Sequence, residues 1–412
     1  MKKLISTIFS VEFFFAMFLF VGYFKELFVT RVDLAVVFLA LTIVVLIKRI
    51  IVNPTVIKSY LIPIGLISLF FAYLLFGVLY SPSVINSQDK MIKLTVLTLP
   101  AALLPFFLFK KKEDIKRFTV SIIVIAFGSA LYVLPTAIRD INNFGFLDYG
   151  NGNYQGLARL TGAGLVLLMF YAFVSAEKKI SKVFLAIAIL MFTFVLLSTG
   201  SRMPLLAFVL VFTYYLFTSF KLSKGILYFR RELKYIAGLL LLLVPVLIYM
   251  VNKGLFATVW RRFEILFTSS GGKSTQGRVD RYDVAFSIWG NNPFFGNGTG
   301  SYGYMYTGMD RNDYPHNILM ELLAENGLVG LIIFISIFGY IGYIMLKAKK
   351  GEFKFNSHLL LTVWLLFSFY FLFNALVSGD INSNRMMFSA LSTLIIICLI
   401  TISKKKRYIA TT

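Results

Sequence analysis

The sequence predicts an all-α integral membrane protein with about twelve transmembrane helices and a helical loop on the outer face. Three observations predict it. The 412 residues are 58% hydrophobic, against about 45–50% in a soluble globular domain, and only lipid can cover that excess. Twelve apolar runs of near-spanning length follow one another. Every segment that strict alternation places on the side of the N-terminus is basic, which is the asymmetry of cytoplasmic loops.

A crossing helix needs about 20 mostly apolar residues. Such runs fall at 5–24, 34–52, 59–80, 91–109, 117–137, 157–175, 183–199, 203–220, 235–252, 327–346, 358–377 and 386–403. The run at 183–199 is short and is accepted on its neighbours. Met1-Lys2-Lys3 and the apolar run after it have the look of a cleavable leader, but Glu12 interrupts the run and no small-residue cleavage site follows. We read it as the first span. With the N-terminus inside, the inside segments carry Lys48/Arg49/Lys58, Lys110/Lys111/Lys112/Lys116/Arg117, Lys178/Lys179/Lys182, Lys221/Lys224/Arg230/Arg231/Lys234 and Lys347/Lys349/Lys350/Lys354. Lys2/Lys3 and Lys404/Lys405/Lys406/Arg407 put both termini inside. The chain divides into 1–252 with nine spans, an outer loop at 253–326, and 327–412 with three spans and a basic tail.

This distribution also explains the net charge of +22, which in a soluble protein would suggest nucleic acid. No nucleic-acid partner is expected. Cys398, the one cysteine, lies in an apolar run, so neither an intramolecular disulfide nor a cysteine metal site is available. No metal cluster, nucleophilic triad or cofactor motif stands out. Gly296-Asn297-Gly298-Thr299-Gly300 follows Asn292-Pro293 in an outer loop, without the strand–helix context of a nucleotide fingerprint.

The outer segments differ in character. Ser81–Lys90 and Ser378–Arg385 are short, and 139–156 is polar and rich in Gly and Asn. The segment 253–326 is long, and a long structured loop among short ones is usually functional. His316 lies near its end, in Asp313-Tyr314-Pro315-His316-Asn317. Ile318, Leu319, Leu322 and Leu323 then mark one helical face, with Asn317, Glu321 and Glu325 on the other. This predicts a short amphipathic surface helix, broken at Asn326-Gly327. An imidazole at its start can take a proton from a sugar hydroxyl near neutral pH. A loop histidine without a role is the plain alternative, and His358, at the cytoplasmic start of a span, fits it.

Arg278 and Arg281 precede Tyr282, Phe286 and Trp289 at helical spacing, with Val279 on the same apolar stripe. A second amphipathic helix would hold both guanidiniums on one side, about 5–6 Å apart, a spacing that suits a diphosphate. A solvated pair, or pairing with Asp280 and Asp283, is the alternative. Arg202 sits in the tight outer turn Ser198-Thr199-Gly200-Ser201-Arg202, and Arg159 just inside a span. Charges so close to hydrocarbon need partners. They either snorkel to headgroups or bind an anionic lipid headgroup. Glu12 lies inside the first span, with a polar cavity or an arginine as its expected partner.

Together these residues resemble the O-antigen ligase and O-antigen polymerase superfamily of bacterial membrane glycosyltransferases. Asn153-x-x-Gly156-Leu157-Ala158-Arg159 is similar to that family's Asn-rich stretch, with Asn-Tyr-Gln where Asn-Pro-Asn is usual. Thr199-Gly200-Ser201-Arg202 is similar to its Ser-Arg turn. Arg278/Arg281 through Asn292-Pro293-Phe294-Phe295-Gly296-x-Gly298 resembles its loop helix and turn. His316-Asn317, nine residues and then Gly327-x-x-Gly330 fits its most specific signature.

The resemblance implies a GT-C-like fold in the bacterial cytoplasmic (inner) membrane, with a periplasmic active face. It implies an undecaprenyl-diphosphate-linked glycan donor and an inverting, metal-independent transfer without cofactor. Arg202, Arg159, Arg278 and Arg281 would bind the diphosphate and His316 would be the general base. Asn317, Glu321 and Glu325 would orient it or bind sugar. The acceptor is a second lipid-linked glycan for a polymerase, our preferred reading, or lipid A–core for a ligase. Membrane lipids and a chain-length regulator are the further partners. A twelve-span transporter or flippase is the reading from a different class, but it should carry its charges near the midplane.

Overall fold

The computed structural model describes residues 10–24, 32–52, 57–140, 146–147, 153–176, 178–223, 226–229, 233–268, 272–349 and 359–411. Lys2, Lys3, Lys224, Arg230, Arg231, Lys350, Lys354 and His358 lie outside them. Helix occupies most of the described part of each of the twelve expected runs, and in the run at 203–220 it stops at Phe217. Among the described residues eight helices are long and apolar enough to cross a membrane, and three shorter apolar ones are Val11–Tyr23, Arg202–Phe217 and Leu359–Ala375. The run at 183–199 lengthens to Ile180–Ser198. The protein is thus a multi-pass membrane protein by length and composition.

One element departs from the all-α expectation. Strands β1 (Phe220–Ser223) and β2 (Ile226–Phe229) pair antiparallel, Phe220 opposite Phe229; β1 begins at the last residue of the run expected at 203–220 and continues into the expected inside loop.

Two compact units form. The first comprises 1–19, 35–118 and 272–412. Its described helices are α1 (Val11–Phe20, to Leu19), α2 (Leu34–Val52, from Ala35), α3 (Leu61–Gly77), α4 (Ile85–Lys93) and α5 (Leu99–Leu108). The start of α6 (Lys112–Arg139) also belongs to it. α4 continues through a π-helical turn, Leu94–Thr98, into α5. The end of the outer segment expected at Ser81–Lys90 is therefore helical, not an open loop. After these come α12 (Gly272–Asn291), α13 (Ser301–Thr307), α14 (Ile318–Lys349), α15 (Leu359–Ala375) and α16 (Arg385–Thr411). α14 packs on α3 and α12, and α16 on α5, α14 and α15. Aromatic contacts fill the interior: Phe118 stacks on Trp364 with ring centroids 5.4 Å apart, and Phe388 meets Phe70, Phe71 and Phe334.

Glu12 finds its partners here. It is 2% exposed, and Arg117 Nη2 donates to its Oε1 at 3.0 Å, with Arg49 Nη1 at 3.7 Å. Asp114 takes the other side of both arginines, at 2.7 and 3.4 Å. Asp114 also accepts the backbone N–H groups of Lys110 and Lys111, so one carboxylate caps the start of α6 and anchors the pair.

Asp310 performs a similar task at long range. Its carboxylate accepts the Ser83 hydroxyl at 2.6 Å and the N–H groups of Val84, Ile85 and Asn86 at 2.8, 2.8 and 3.1 Å, closing the N-terminus of α4. The Ser83 hydroxyl, then these N–H groups, hold its pKa below the usual carboxylate range. A depressed folded pKa stabilises the protein above the unfolded value, about 3.9, and that contribution disappears as pH falls through the folded value. Asp310→Ala should therefore lower thermal stability by about 0.5–1 kcal/mol at neutral pH, the low end for a cap because the group meets solvent. The gap from wild type should close as pH falls below the ordinary carboxylate range, as melting curves would show.

The second unit comprises 20–34 and 119–271. α7 (Tyr154–Leu167) lies at its centre, almost entirely buried, packed on α8 (Lys179–Ser198) and α9 (Arg202–Phe217). α10 (Leu233–Asn252) and α11 (Ala257–Thr268) follow.

Candidate functional site

Residues of the expected outer loop that belong to the first unit gather around Tyr302. This ring is fully buried among Ala285, Ile288 and Ala324, with Tyr306 and Met320 beside it. Its hydroxyl donates to Arg281 O at 3.0 Å. Burial first, and the nearby Asp313 carboxylate second, push its phenol well above the ordinary range, so it stays a neutral donor. The inner face of α12 is thus Arg281, Ala285 and Ile288. That corrects the expected apolar stripe: Val279 and Phe286 are exposed, at 44% and 51%, where an apolar medium rather than the protein would have to cover them.

Arg281 pairs with Asp313, Nε to Oδ1 at 3.4 Å, rather than with Asp280 or Asp283. Its Nη1 donates to Gly277 O, and its guanidinium lies 5.7 Å from the Tyr306 ring centroid. Asp280 instead accepts from Gln276. Arg278, one turn earlier on α12, is partly exposed.

His316 follows three residues after Asp313, behind a buried Pro315. Its backbone is left-handed, φ 61°, and its ring meets Tyr314 edge-on with centroids 4.6 Å apart. A non-glycine residue in that region is uncommon, and such conformations gather at functional sites. Asn317 next to it is the N-cap of α14, its Oδ1 accepting from Leu319 N at 2.9 Å and Met320 N at 3.3 Å. The structure thus gives Asn317 a capping task that the sequence reading did not name.

Glu321 and Glu325 require a correction. They were expected on a watery helix face, yet both are 0% exposed. Lys90 of α4 reaches both, bonding Glu321 Oε1 and Glu325 Oε2, the latter at 2.6 Å. Glu321 Oε2 accepts Ile381 N at 3.0 Å, and Glu325 Oε2 accepts Gly300 N at 2.9 Å. Lys90, a nominal outer-loop cation, was missed for lack of any local signal. Its partners lie more than two hundred residues away.

The glycine signature has a mechanical reason. Gly327 has φ 63° and ψ −165° and breaks α14 where Asn326-Gly327 predicted. The freed N–H groups of Leu328 and Val329 go to Pro293 O and Phe294 O at 2.9 and 3.0 Å. Asn297 N and Gly298 N donate back to Ala324 O and Glu325 O. The Pro/Gly turn is thereby stitched into the break.

In the second unit, Arg202 is 7% exposed at the start of α9, and its Nη1 donates to Arg262 O at 2.8 Å. Arg262 returns a bond from Nη1 to Gly200 O at 2.6 Å and lies 4.6 Å from the Phe146 ring centroid. This reciprocal latch joins the Thr199–Ser201 turn to α11 and replaces simple snorkelling as the account of Arg202. Arg262 was not singled out in the sequence. Arg159 is 6% exposed within α7, whose N-cap is Asn153, accepting from Gln155 N and Gly156 N at 3.0 Å each. The Asn-rich motif therefore begins as a helix cap.

Among the described residues no group of three or more His, Cys, Asp and Glu could hold a metal ion. Together the apolar helices define a multi-pass membrane protein by length and composition. Residues 185–335 match the family model described as O-antigen ligase. The resemblance to the O-antigen ligase/polymerase superfamily is thereby shown, over a stretch that holds Arg202, Arg278, Arg281, His316, Asn317 and the Gly327-x-x-Gly330 signature. Its members are glycosyltransferase-like enzymes. Comparison with curated proteins gives no match.

Proposed function

We propose that the protein is a polymerase of undecaprenyl-diphosphate-linked oligosaccharide repeat units. It works at the periplasmic face of a bacterial cytoplasmic membrane, with twelve crossings and both termini inside. The observation that carries this is the His316 turn: a left-handed histidine at the mouth of a capped helix, inside the stretch that matches the family.

In this reading His316 takes the proton of an acceptor sugar hydroxyl. The hydroxyl oxygen attacks the anomeric carbon of the donor glycan. The bond from that carbon to the diphosphate oxygen breaks, and the diphosphate leaves on its lipid carrier with inversion at the sugar. Arg278 and Arg281 are assigned to the diphosphate, where fixed cations stabilise developing negative charge. The Arg281–Asp313 contact, at 3.4 Å, is longer than the about 2.7–2.9 Å of a strong charged pair, so a diphosphate can compete for the guanidinium. Arg159 and Arg202 are assigned to the same class of ligand, an anionic lipid headgroup. Exposed Val279 and Phe286 on α12 suit contact with a membrane surface.

The second reading, a ligase with lipid A–core as acceptor, is favoured by the description of the matching family. Purified protein given undecaprenyl-diphosphate oligosaccharide alone should yield a ladder of longer lipid-linked products. Transfer that appears only when lipid A–core is added would make it a ligase. No product in either mixture would overturn both readings and favour a transporter.

A further inference from the structure

We propose that Lys90 is a positioning residue for the His316 segment, acting through Glu321 and Glu325; this rests on the catalytic reading of His316 given above. A lone lysine on an outer segment has no reason to be buried, because the bare ammonium loses its hydration. Here it is nearly inaccessible, with a side-chain exposure of 6%, and both carboxylates at 0 and 1%. Such a group persists only with near-complete pairing, and four chain segments contribute to it. Lys90 comes from α4, whose N-terminus Asp310 caps. Glu321 and Glu325 come from the first turns of α14. Gly300, in the turn before α13, donates its N–H to Glu325, and Asn86 Nδ2 of α4 donates to Gly300 O at 2.7 Å. Ile381, beyond α15, donates its N–H to Glu321. In the same segment, Asn382 Nδ2 donates to Lys90 O at 3.5 Å and Asn382 Oδ1 accepts from Thr98 Oγ1 at 2.8 Å.

His316 is five residues before Glu321, directly ahead of the cap. The backbone bond Glu321 N to Asn317 O, 3.0 Å, links the Lys90-anchored turn to the capped one. The short limb of α14 between His316 and the Gly327 break is thus fixed at its C-terminal side by the stitched turn and along its flank by one ammonium. Loosening that flank lets the imidazole drift, and a displacement of about 1 Å can cost about 100-fold in rate.

The test uses the full-length protein in detergent or nanodiscs, with undecaprenyl-diphosphate oligosaccharide purified from the cells that make it. Lys90→Met keeps length and removes charge. It should lower kcat about 10–100-fold while leaving the donor KM within about twofold. Lys90→Met/Glu321→Gln/Glu325→Gln removes the buried charge imbalance, so it should recover the melting temperature but not kcat, because the amides do not rebuild the ionic hub. Lys90→Arg should restore part of kcat. A Lys90→Met protein with wild-type kcat overturns the proposal, as does a triple variant in which kcat returns in step with the melting temperature, which would mark a purely structural ion cluster. Should Lys90→Met fail to fold, the triple variant alone decides. His316→Ala run in parallel separates the two claims. Its inactivity beside a fully active Lys90→Met sinks only the positioning role, whereas wild-type turnover by His316→Ala sinks the catalytic reading itself.

Discussion

Replacing His316 by alanine is expected to lower glycan transfer by about 100- to 10,000-fold, the usual contribution of a positioned general acid–base, with little change in donor affinity. The loss falls on kcat because the imidazole acts on the acceptor proton in the transition state rather than on the donor diphosphate. The backbone makes this position unusually informative. A non-glycine residue at φ 61° carries a left-handed cost of roughly 1–2 kcal/mol. His316→Asn, a residue that tolerates that conformation, should keep or raise the melting temperature while abolishing turnover. Stability and activity would then move in opposite directions, as they do where strain serves function. His316→Gly should be equally inactive, and millimolar imidazole should restore part of its rate by supplying the missing base. Transfer within a few-fold of wild type for His316→Asn, at saturating donor and acceptor, would remove the histidine from the chemistry.

Much of the fold was legible because lipid imposes a one-dimensional rule. Runs of about 20 apolar residues have few alternatives to a helix, and each expected run is mostly helical where described, the run at 203–220 ending early at Phe217. The break at Asn326-Gly327 was legible too, since only glycine adopts the backbone found there. What failed was the assignment of faces. Asn317, Glu321 and Glu325 alternate with leucines at helical spacing, and that pattern ordinarily marks a wet surface. Periodicity records which residues share a side, not what lies opposite. Here the opposite side holds Lys90 and two backbone N–H donors, so the acidic stripe is buried instead. Arg281 hid its partner for the same reason, because Asp313 is near only once α12 and the His316 loop have packed around Tyr302. Arg262 carried no local signal either, as its role depends on the turn at Gly200. The hairpin at 220–229 was overlooked because basic residues flagged that segment as a loop and nothing more.

Gly327→Ala should be among the most damaging single substitutions outside the reacting groups. A Cβ built there would stand 2.4 Å from Phe294 O and 2.5 Å from Gly296 N, both backbone atoms that cannot swing away. The φ of 63° with ψ of −165° is open to glycine alone. The chain can respond by straightening α14 or by expelling the 293–296 turn. Straightening returns the Leu328 and Val329 N–H groups to the helix; Pro293 O keeps the Trp289 indole N–H at 2.9 Å, but Phe294 O loses the Val329 donor it now accepts. Expulsion removes the bonds from Asn297 and Gly298 to Ala324 and Glu325, and with them the loop that braces the Lys90 cluster through Gly300. Strain of about 1–3 kcal/mol and overpacking of about 1–3 kcal/mol together give an expected loss of about 2–6 kcal/mol, and kcat should fall with it because His316 stands on the short limb of the same break. Gly339→Ala is the matched control. It lies on the long limb of α14, where an added Cβ meets nothing within 4 Å; removing glycine from a helix interior should hold stability or raise it by about 0.5–1 kcal/mol. Thermal unfolding of both variants in one detergent would decide. A Gly327→Ala protein that melts with wild type would mean that the break is not held by backbone geometry, and that the glycine signature of this helix serves some purpose other than shape.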